Sequence, residues 1–200
     1  MSATLVSIIG PPAAGKTTLA EGLAGHLGAE VLYEDYAGNP FLGVSYTTDA
    51  SAKLPAQVYF LMARAAQLAL PSWPGTGTRI SDYGFCHDRM YARQQLDADD
   101  WALYDALARR IEPRIKPPDV LIAVDAATDE LRRRIGARGR RFEQGMDRDF
   151  LQAMRDACSA VAAETDGTVT LRADQVDFRD AATVAAIAEQ VRQVLSPSRD

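Results

Sequence analysis

Gly10-Pro-Pro-Ala-Ala-Gly15-Lys16-Thr17 places two glycines, a lysine and a hydroxyl in the spacing GxxxxGK[ST]. That spacing suits nucleotide phosphates. Backbone N–H groups of the loop face phosphate oxygens, the lysine reaches the β- and γ-phosphates, and the hydroxyl holds Mg²⁺. Gly10, Pro11, Pro12, Ala13, Ala14, Gly15, Lys16, Thr17 and Thr18 are therefore the candidate phosphate-binding residues, with Thr17 a candidate metal ligand. The loop fixes the ligand class but not the reaction. No NKxD base-reading motif accompanies it, and the chain is short for a large ATPase, so kinases of small molecules or nucleotides remain.

Three carboxylates stand where such chemistry would need them. Glu34 and Asp35 follow the short apolar run Val31-Leu32-Tyr33. Ligands of open parallel sheets bind beyond the carboxyl ends of the strands, so either is a candidate general base for an attacking hydroxyl. Spacing alone does not separate the two. Asp82 ends the next short strand in the equivalent place and is the candidate support for Mg²⁺ or its waters.

Two further groups are polar where a cleft would use them. At 100° per residue, Gln57 and Arg64 fall within about 20° of each other on a helix, at the edge of its apolar stripe. Arg134 and Arg138 lie one turn apart and are followed by Arg140 and Arg141. Guanidinium groups fit phosphate oxygens, and Gly136, Gly139 and Gly145 let this segment close as a lid. A run of charge is more commonly a solvated face. The excess of arginine over lysine and the glycines favour the lid.

The elements that must position these residues alternate along the chain. Leu5–Ile9 reads as a central strand and Gly15–Gly28 as a helix. Val31–Tyr33 is a second strand, 35–50 a polar loop, and Ser51–Leu70 a helix striped by Leu54, Val58, Leu61, Ala65 and Leu68 and ended by Pro71. Arg79–Ser81 is a third strand, followed by helices near 87–96 and 99–115. Val120–Val124 is a fourth strand, then a helix over 128–137 capped by Thr128. Helices over 147–163 and 180–195 flank a fifth strand, Thr168–Leu171, and the last residues fray. Strands alternating with helices predict an α/β domain with a five-stranded parallel sheet covered on both faces. One domain of 200 residues is expected.

Composition narrows the partners. Apolar residues make up 47%, charged residues 24%, and the net charge is −5. An acidic chain of this kind is not expected to bind a nucleic acid polymer. No apolar run is long enough to span a bilayer, and the N-terminus predicts no signal peptide. Two cysteines without CxxC spacing and two histidines argue against a disulfide framework or a zinc site, so a reducing cytoplasm is expected.

Five ordered motifs together resemble the deoxynucleoside kinase family, which includes deoxycytidine, deoxyguanosine and deoxyadenosine kinases. They are GPPAAGKT; Glu34 followed by Asn39-Pro40-Phe41-Leu42; Gln57-Val-Tyr-Phe-Leu-Met-Ala-Arg64; Ser81-Asp82-Tyr83 with Asp88-Arg89; and Arg134-Ile-Gly-Ala-Arg138-Gly-Arg140-Arg141-Phe-Glu143-Gln144-Gly145. The resemblance covers nearly the whole chain. It implies a P-loop kinase fold with an arginine-rich lid over about 136–146, ATP and Mg²⁺, and phosphorylation of a deoxynucleoside 5′-hydroxyl. It implies Glu34 as the base that activates that hydroxyl. It implies Gln57 on the nucleobase edge and Arg64 with Asp88 as the pair that tunes base choice, leaning toward purine deoxynucleosides or deoxycytidine. Tyr46 and Glu143 resemble the residues that meet the 3′-hydroxyl. Arg134, Arg138 and Arg140 resemble the lid arginines on the ATP phosphates.

A homodimer through helices around 51–70 and 99–115 is expected from the same resemblance. Phe41, Phe60 and Phe85 are weighed as walls of a base-stacking slot, although core packing is the commoner fate of such rings. One motif departs from the family. Asp82-Tyr83-Gly84 stands where Asp-Arg-Ser or Glu-Arg-Ser is usual, and Arg89 or a lid arginine is the expected substitute for the missing cation. Two other readings are carried alongside: a kinase of nucleoside monophosphates or another small metabolite, and a nucleotide-binding module without turnover.

Overall fold

The computed structural model describes residues 3–46 and 50–196. The expectations for 47–49, within the polar loop, and for 197–200 lie outside the described residues. Five strands, β1 (Thr4–Ile9), β2 (Ala29–Leu32), β3 (Thr78–Ser81), β4 (Val120–Asp125) and β5 (Val169–Arg172), form one sheet in the order β2-β3-β1-β4-β5. Every neighbouring pair is parallel. The helices are α1 (Lys16–Leu27), α2 (Leu42–Ser45), α3 (Lys53–Gln67), α4 (Cys86–Gln95), α5 (Ala98–Ile111), α6 (Thr128–Arg138), α7 (Arg148–Glu164) and α8 (Ala181–Leu195).

Side chains alternate across a strand, and both faces of the central strands are covered, so β1 and β4 read as continuous apolar runs. Val6 and Ile8 of β1, with Ile122 and Val124 of β4, pack with Leu19 and Leu23 of α1 and Val184, Ile187 and Val191 of α8. Ile9, Leu121 and Ala123 face the other way, onto Met90 of α4 and Met154 and Cys158 of α7. The α3 stripe also finds its core: Leu61 packs with Tyr104 and Ala108 of α5, and Leu68 with Leu5 and Tyr83. Burying that stripe turns Gln57 and Arg64 toward the sheet's carboxyl end.

Several boundaries move. The helix expected over 51–70 is a 3₁₀ turn at Ala50–Ala52 followed by α3, which stops at Gln67. Pro71 lies in a second 3₁₀ turn, Leu70–Ser72, beyond the helix end rather than at it. Thr128 is the first residue of α6 and not its cap, which is Ala127; the Thr128 hydroxyl donates instead to Gln152 of α7 at 2.9 Å. The one-turn helix α2 interrupts the loop that the polar composition suggested. Asp97, Asp147 and Asp180 accept backbone N–H groups at the starts of α5, α7 and α8, each cap contributing about 1 kcal/mol. Among the described residues no helix is long and apolar enough to cross a membrane.

Candidate active site

The turn between β1 and α1 carries the glycine-lysine motif at the carboxyl end of the central strand. A Cβ at Gly10 would lie 2.3 Å from the Val124 carbonyl oxygen, so only glycine fits beside β4. Gly15 begins the helix at φ 99°, a left-handed conformation that opens the loop toward α1. Lys16 Nζ donates to the Gly10 carbonyl at 2.9 Å and the Pro11 carbonyl at 3.1 Å. Burial pushes the Lys16 ammonium down from its ordinary pKa, while Glu34 and Asp82 pull it back up. The lysine thus folds back over its own loop, where phosphate oxygens would replace those carbonyls.

Asp82 ties this loop to the next. One of its oxygens accepts the Thr17 hydroxyl at 2.6 Å, and the other accepts the Glu34 backbone N–H at 2.8 Å. The register of β3 between β1 and β2 makes this possible, because it sets Ser81 beside both Ser7 and Leu32. Glu34 lines the cleft above β2, whereas Asp35 accepts the Tyr59 hydroxyl at 2.6 Å and the Gly38 N–H at 2.9 Å outside it. Of the two carboxylates that spacing left equal, only Glu34 lines the cleft. Asn39 anchors the loop after β2, donating to the Ala56 carbonyl of α3 at 3.1 Å.

Gln57 and Arg64 share the cleft-facing side of α3, and each is 3% exposed. Gln57 donates to the Gln95 amide oxygen of α4 at 3.1 Å, and its own Oε1 is buried without a hydrogen-bond partner. Arg64 forms ion pairs with both Asp88 and Glu34. Burial acts against the Arg64 charge, but Asp88 and then Glu34 outweigh it and raise its pKa. Burial pushes the Asp88 carboxyl up, to about 7, against the pull of Arg64. Phe60 also lines the cleft, whereas Phe85 packs in the core and Phe41 is exposed.

The arginine-rich segment leaves α6 at Gly139 and passes over the same cleft. Arg140 and Arg138 lie 3.4 Å and 3.5 Å from the buried Glu143 carboxylate. Burial pushes that carboxyl up, with Arg140 and Lys16 opposing. Arg140 also donates to the Tyr36 hydroxyl at 2.8 Å and lies 4.1 Å from the centre of its ring. Phe142 sits between the Tyr36 and Tyr46 rings, with centroids 6.2 Å and 6.1 Å away. Arg134 donates to Glu130 at 2.7 Å and to the Ala173 carbonyl at 2.6 Å, which fixes it beside the phosphate-binding loop.

A cleft of about 1160 Å³ gathers Pro12, Ala13, Gly15, Lys16, Thr17 and Thr18 with Glu34, Tyr46, Gln57, Arg64, Asp82 and Asp88. Arg134, Arg138, Arg140 and Glu143 complete its wall. Gly10, Pro11 and Ala14 do not line it: the Gly10 and Pro11 carbonyls hold Lys16, and Ala14 packs in the core. Arg89 is elsewhere: it lies 3.3 Å from Asp105 and 3.4 Å from Glu112. Sequence reasoning missed Tyr91 and the segment 173–179, which line the cleft. The Phe178 ring stands 3.2 Å from where a Gly15 Cβ would be. That segment carries no motif, so only the chain's return from β5 to α8 reveals it.

The deoxynucleoside kinase family model matches residues 6–196. The deoxyadenosine kinase of Lactobacillus acidophilus is 29% identical over 70% of this chain and 69% of its own. The deoxyguanosine kinase of Bacillus subtilis is 28% identical over 76% of this chain and 75% of its own. The structure of deoxyadenosine kinase from M. mycoides with bound dCTP superposes with a TM-score of 0.78, covering 95% of this chain and 99% of that one at 20% identity. A match that runs through every strand, and through each element bordering the cleft, places this chain in the deoxynucleoside kinase family.

Proposed function

We propose that this protein transfers the γ-phosphoryl group of ATP to the 5′-hydroxyl of a purine deoxynucleoside or deoxycytidine. The observation that carries the reading is the convergence on one cleft of Lys16, Thr17 and Glu34, joined through Asp82. The relatives point to the same acceptors, being named deoxyadenosine, deoxyguanosine and deoxyadenosine/deoxycytidine kinases.

In this mechanism the loop N–H groups hold the donor phosphates and Lys16 carries positive charge to the transferring group. Arg134, Arg138 and Arg140 add charge from the lid, about 136–146, and exclude water as it closes. Glu34 takes the proton from the 5′-hydroxyl as its oxygen bonds to phosphorus and the bond to the departing diphosphate breaks. Tyr46 and Glu143 meet the 3′-hydroxyl, and Gln57 meets the nucleobase. The unpartnered Gln57 Oε1 is the kind of buried acceptor that an amino group would satisfy.

Thr17 and Asp82 fit a divalent cation. One hydroxyl and one carboxylate, already 2.6 Å apart, suit an ion that takes its other ligands from phosphate and water. When bound, Mg²⁺ would neutralise charge on the β- and γ-phosphate oxygens.

The acceptor end also speaks against a nucleoside monophosphate as substrate. Its cation there, Arg64, is already shared by two carboxylates. The helices expected to pair two subunits present exposed apolar side chains, Met62 on α3 and Leu103 and Leu107 on α5, which support a homodimer. Free Cys86 and Cys158 fit a reducing cytoplasm. A panel of deoxynucleosides and deoxynucleoside monophosphates with MgATP, scored for phosphorylated product, tests the function. Monophosphates formed from deoxynucleosides are expected; ADP production with none of these acceptors would overturn the reading.

A further inference from the structure

Among the described residues the Glu34 carboxylate has one ion-pair partner, Arg64. The other terminal nitrogen of the same guanidinium is bonded to Asp88. Its carbon lies 5.5 Å from the centre of the Phe60 ring and 5.2 Å from that of Tyr83. Tyr83 is fully buried, and its hydroxyl donates to Gln67 of α3 at 2.8 Å. The loop after β3 therefore grips α3 one turn beyond Arg64 and lays an aromatic face against the guanidinium.

Charge counting gives this arrangement its meaning. Two carboxylates, Glu34 and Asp88, flank Arg64, and its one guanidinium is bonded to both. No arginine follows Asp82, because Tyr83 occupies that position. Neither expected substitute reaches Glu34: Arg89 faces Asp105 and Glu112, and Arg138 and Arg140 face Glu143. A guanidinium fixed at both ends and flanked by two rings is a strut. To read a nucleobase with its terminal nitrogens it would have to release the buried Asp88, which is costly, or the partly exposed Glu34, which would leave that carboxylate unpositioned.

We propose that Arg64 is a positioning residue for Glu34, held by Asp88 and the Tyr83 ring, and that it serves the transfer step more than the choice of nucleobase. Tyr83 is then a working part of the site: it supplies a face that steadies the guanidinium paired with Glu34. Selection of the base falls to Gln57 and Asp88, whose Oε1 and Oδ2 are buried without a hydrogen-bond partner. The proposal rests on the reading of Glu34 as the general base.

The test is a double-mutant cycle of Glu34→Gln and Arg64→Gln, with single-turnover transfer rates and deoxynucleoside Kd measured on each folded variant. Arg64→Gln is expected to slow transfer about 10- to 100-fold with Kd held within about threefold, because a displaced base costs rate and not affinity. The double variant should be no slower than Glu34→Gln alone, since Arg64 acts through Glu34. Preference between deoxyadenosine and deoxycytidine should stay unchanged in Arg64→Gln.

Multiplying losses in the double variant, or weakened binding with a changed base preference at full rate, would overturn the proposal. A Glu34→Gln enzyme at full rate would instead overturn the general base itself, a distinct outcome. Should Arg64→Gln fail to fold, Tyr83→Leu keeps every charge and removes the ring. It is expected to slow transfer about 3- to 10-fold, and not at all in the Glu34→Gln background. An unchanged rate in Tyr83→Leu overturns the role given to the ring and the strut it supports.

Discussion

The backbone N–H of Glu34 donates to the Asp82 carboxylate at 2.8 Å, while the other oxygen of that carboxylate accepts the Thr17 hydroxyl. One side chain at the end of β3 thus sets the distance between the phosphate-binding loop and the candidate base. Asp82→Asn keeps the shape but presents a single carbonyl oxygen, so one of the two bonds is lost. Residues that orient catalytic groups typically cost about 10- to 100-fold when changed. We expect a kcat loss of that size with little change in melting temperature, checked by steady-state kinetics beside a thermal melt.

Asp88 is 1% exposed and bonded to a guanidinium that is 3% exposed. Removing one member of a buried pair strands the other, at a cost of about 3–5 kcal/mol. Asp88→Leu should therefore lower stability by about 3 kcal/mol, the lower end because Glu34 still pairs with Arg64. Urea unfolding at pH 7.5 measures this directly, and an unchanged midpoint would contradict the pairing.

His87 offers a pH-dependent check. It is 1% exposed, and its ring nitrogens face the Gly10 N–H at 3.0 Å and the Gly84 N–H at 3.2 Å. Burial, with Lys16 and Arg64 adding to it, pushes its pKa well below the ordinary 6.5. The folded ring stays neutral where the unfolded ring takes up a proton. Its contribution to stability is complete above about pH 6.5 and is lost as pH falls below that, by at most about 1.4 kcal/mol per unit. Urea midpoints at pH 7.5 and 5.5 should therefore differ less in His87→Asn than in the native chain.

Arg134 joins α6 to the segment before α8 through its bonds to Glu130 and the Ala173 carbonyl. Its loss removes a cation from the donor end and loosens the segment holding Phe178 beside Gly15. Hydrogen bonds to charged groups are worth about 1.5–3 kcal/mol. Arg134→Ala should raise KM for ATP about 10-fold or more while leaving the deoxynucleoside Kd nearly unchanged. Kinetics with varied ATP and binding by calorimetry separate the two effects.

The parts of this site that could be read in advance are those whose chemistry is local. The glycine-lysine loop carries its own backbone requirement, and the α3 stripe follows from helical period. Burying Leu61 and Leu68 was enough to aim Gln57 and Arg64 at the cleft. Which of Glu34 and Asp35 faces the cleft was not legible, because adjacent residues differ only in which way the backbone turns; Tyr59, 24 residues onward, holds Asp35 outside it.

The double engagement of Arg64 was hidden for the same reason. It depends on β3 placing Tyr83 and Asp88 against α3, a tertiary fact with no spacing signature. Thr128 has the residue type of a cap, yet packing against α7 draws its hydroxyl to Gln152. The cleft-lining segment 173–179 has mixed residues and no period, so nothing in it marked a ligand.

Comparing Glu34→Gln with the native chain, for both kcat and deoxynucleoside Kd, tests the central claim most directly. Removing the proton acceptor while keeping its size should lower kcat about 10²- to 10⁴-fold and leave the nucleoside Kd within a few fold. A variant that binds equally well and turns over at the native rate would contradict the account, because the carboxylate beside the phosphate-binding loop would then have no part in the transfer.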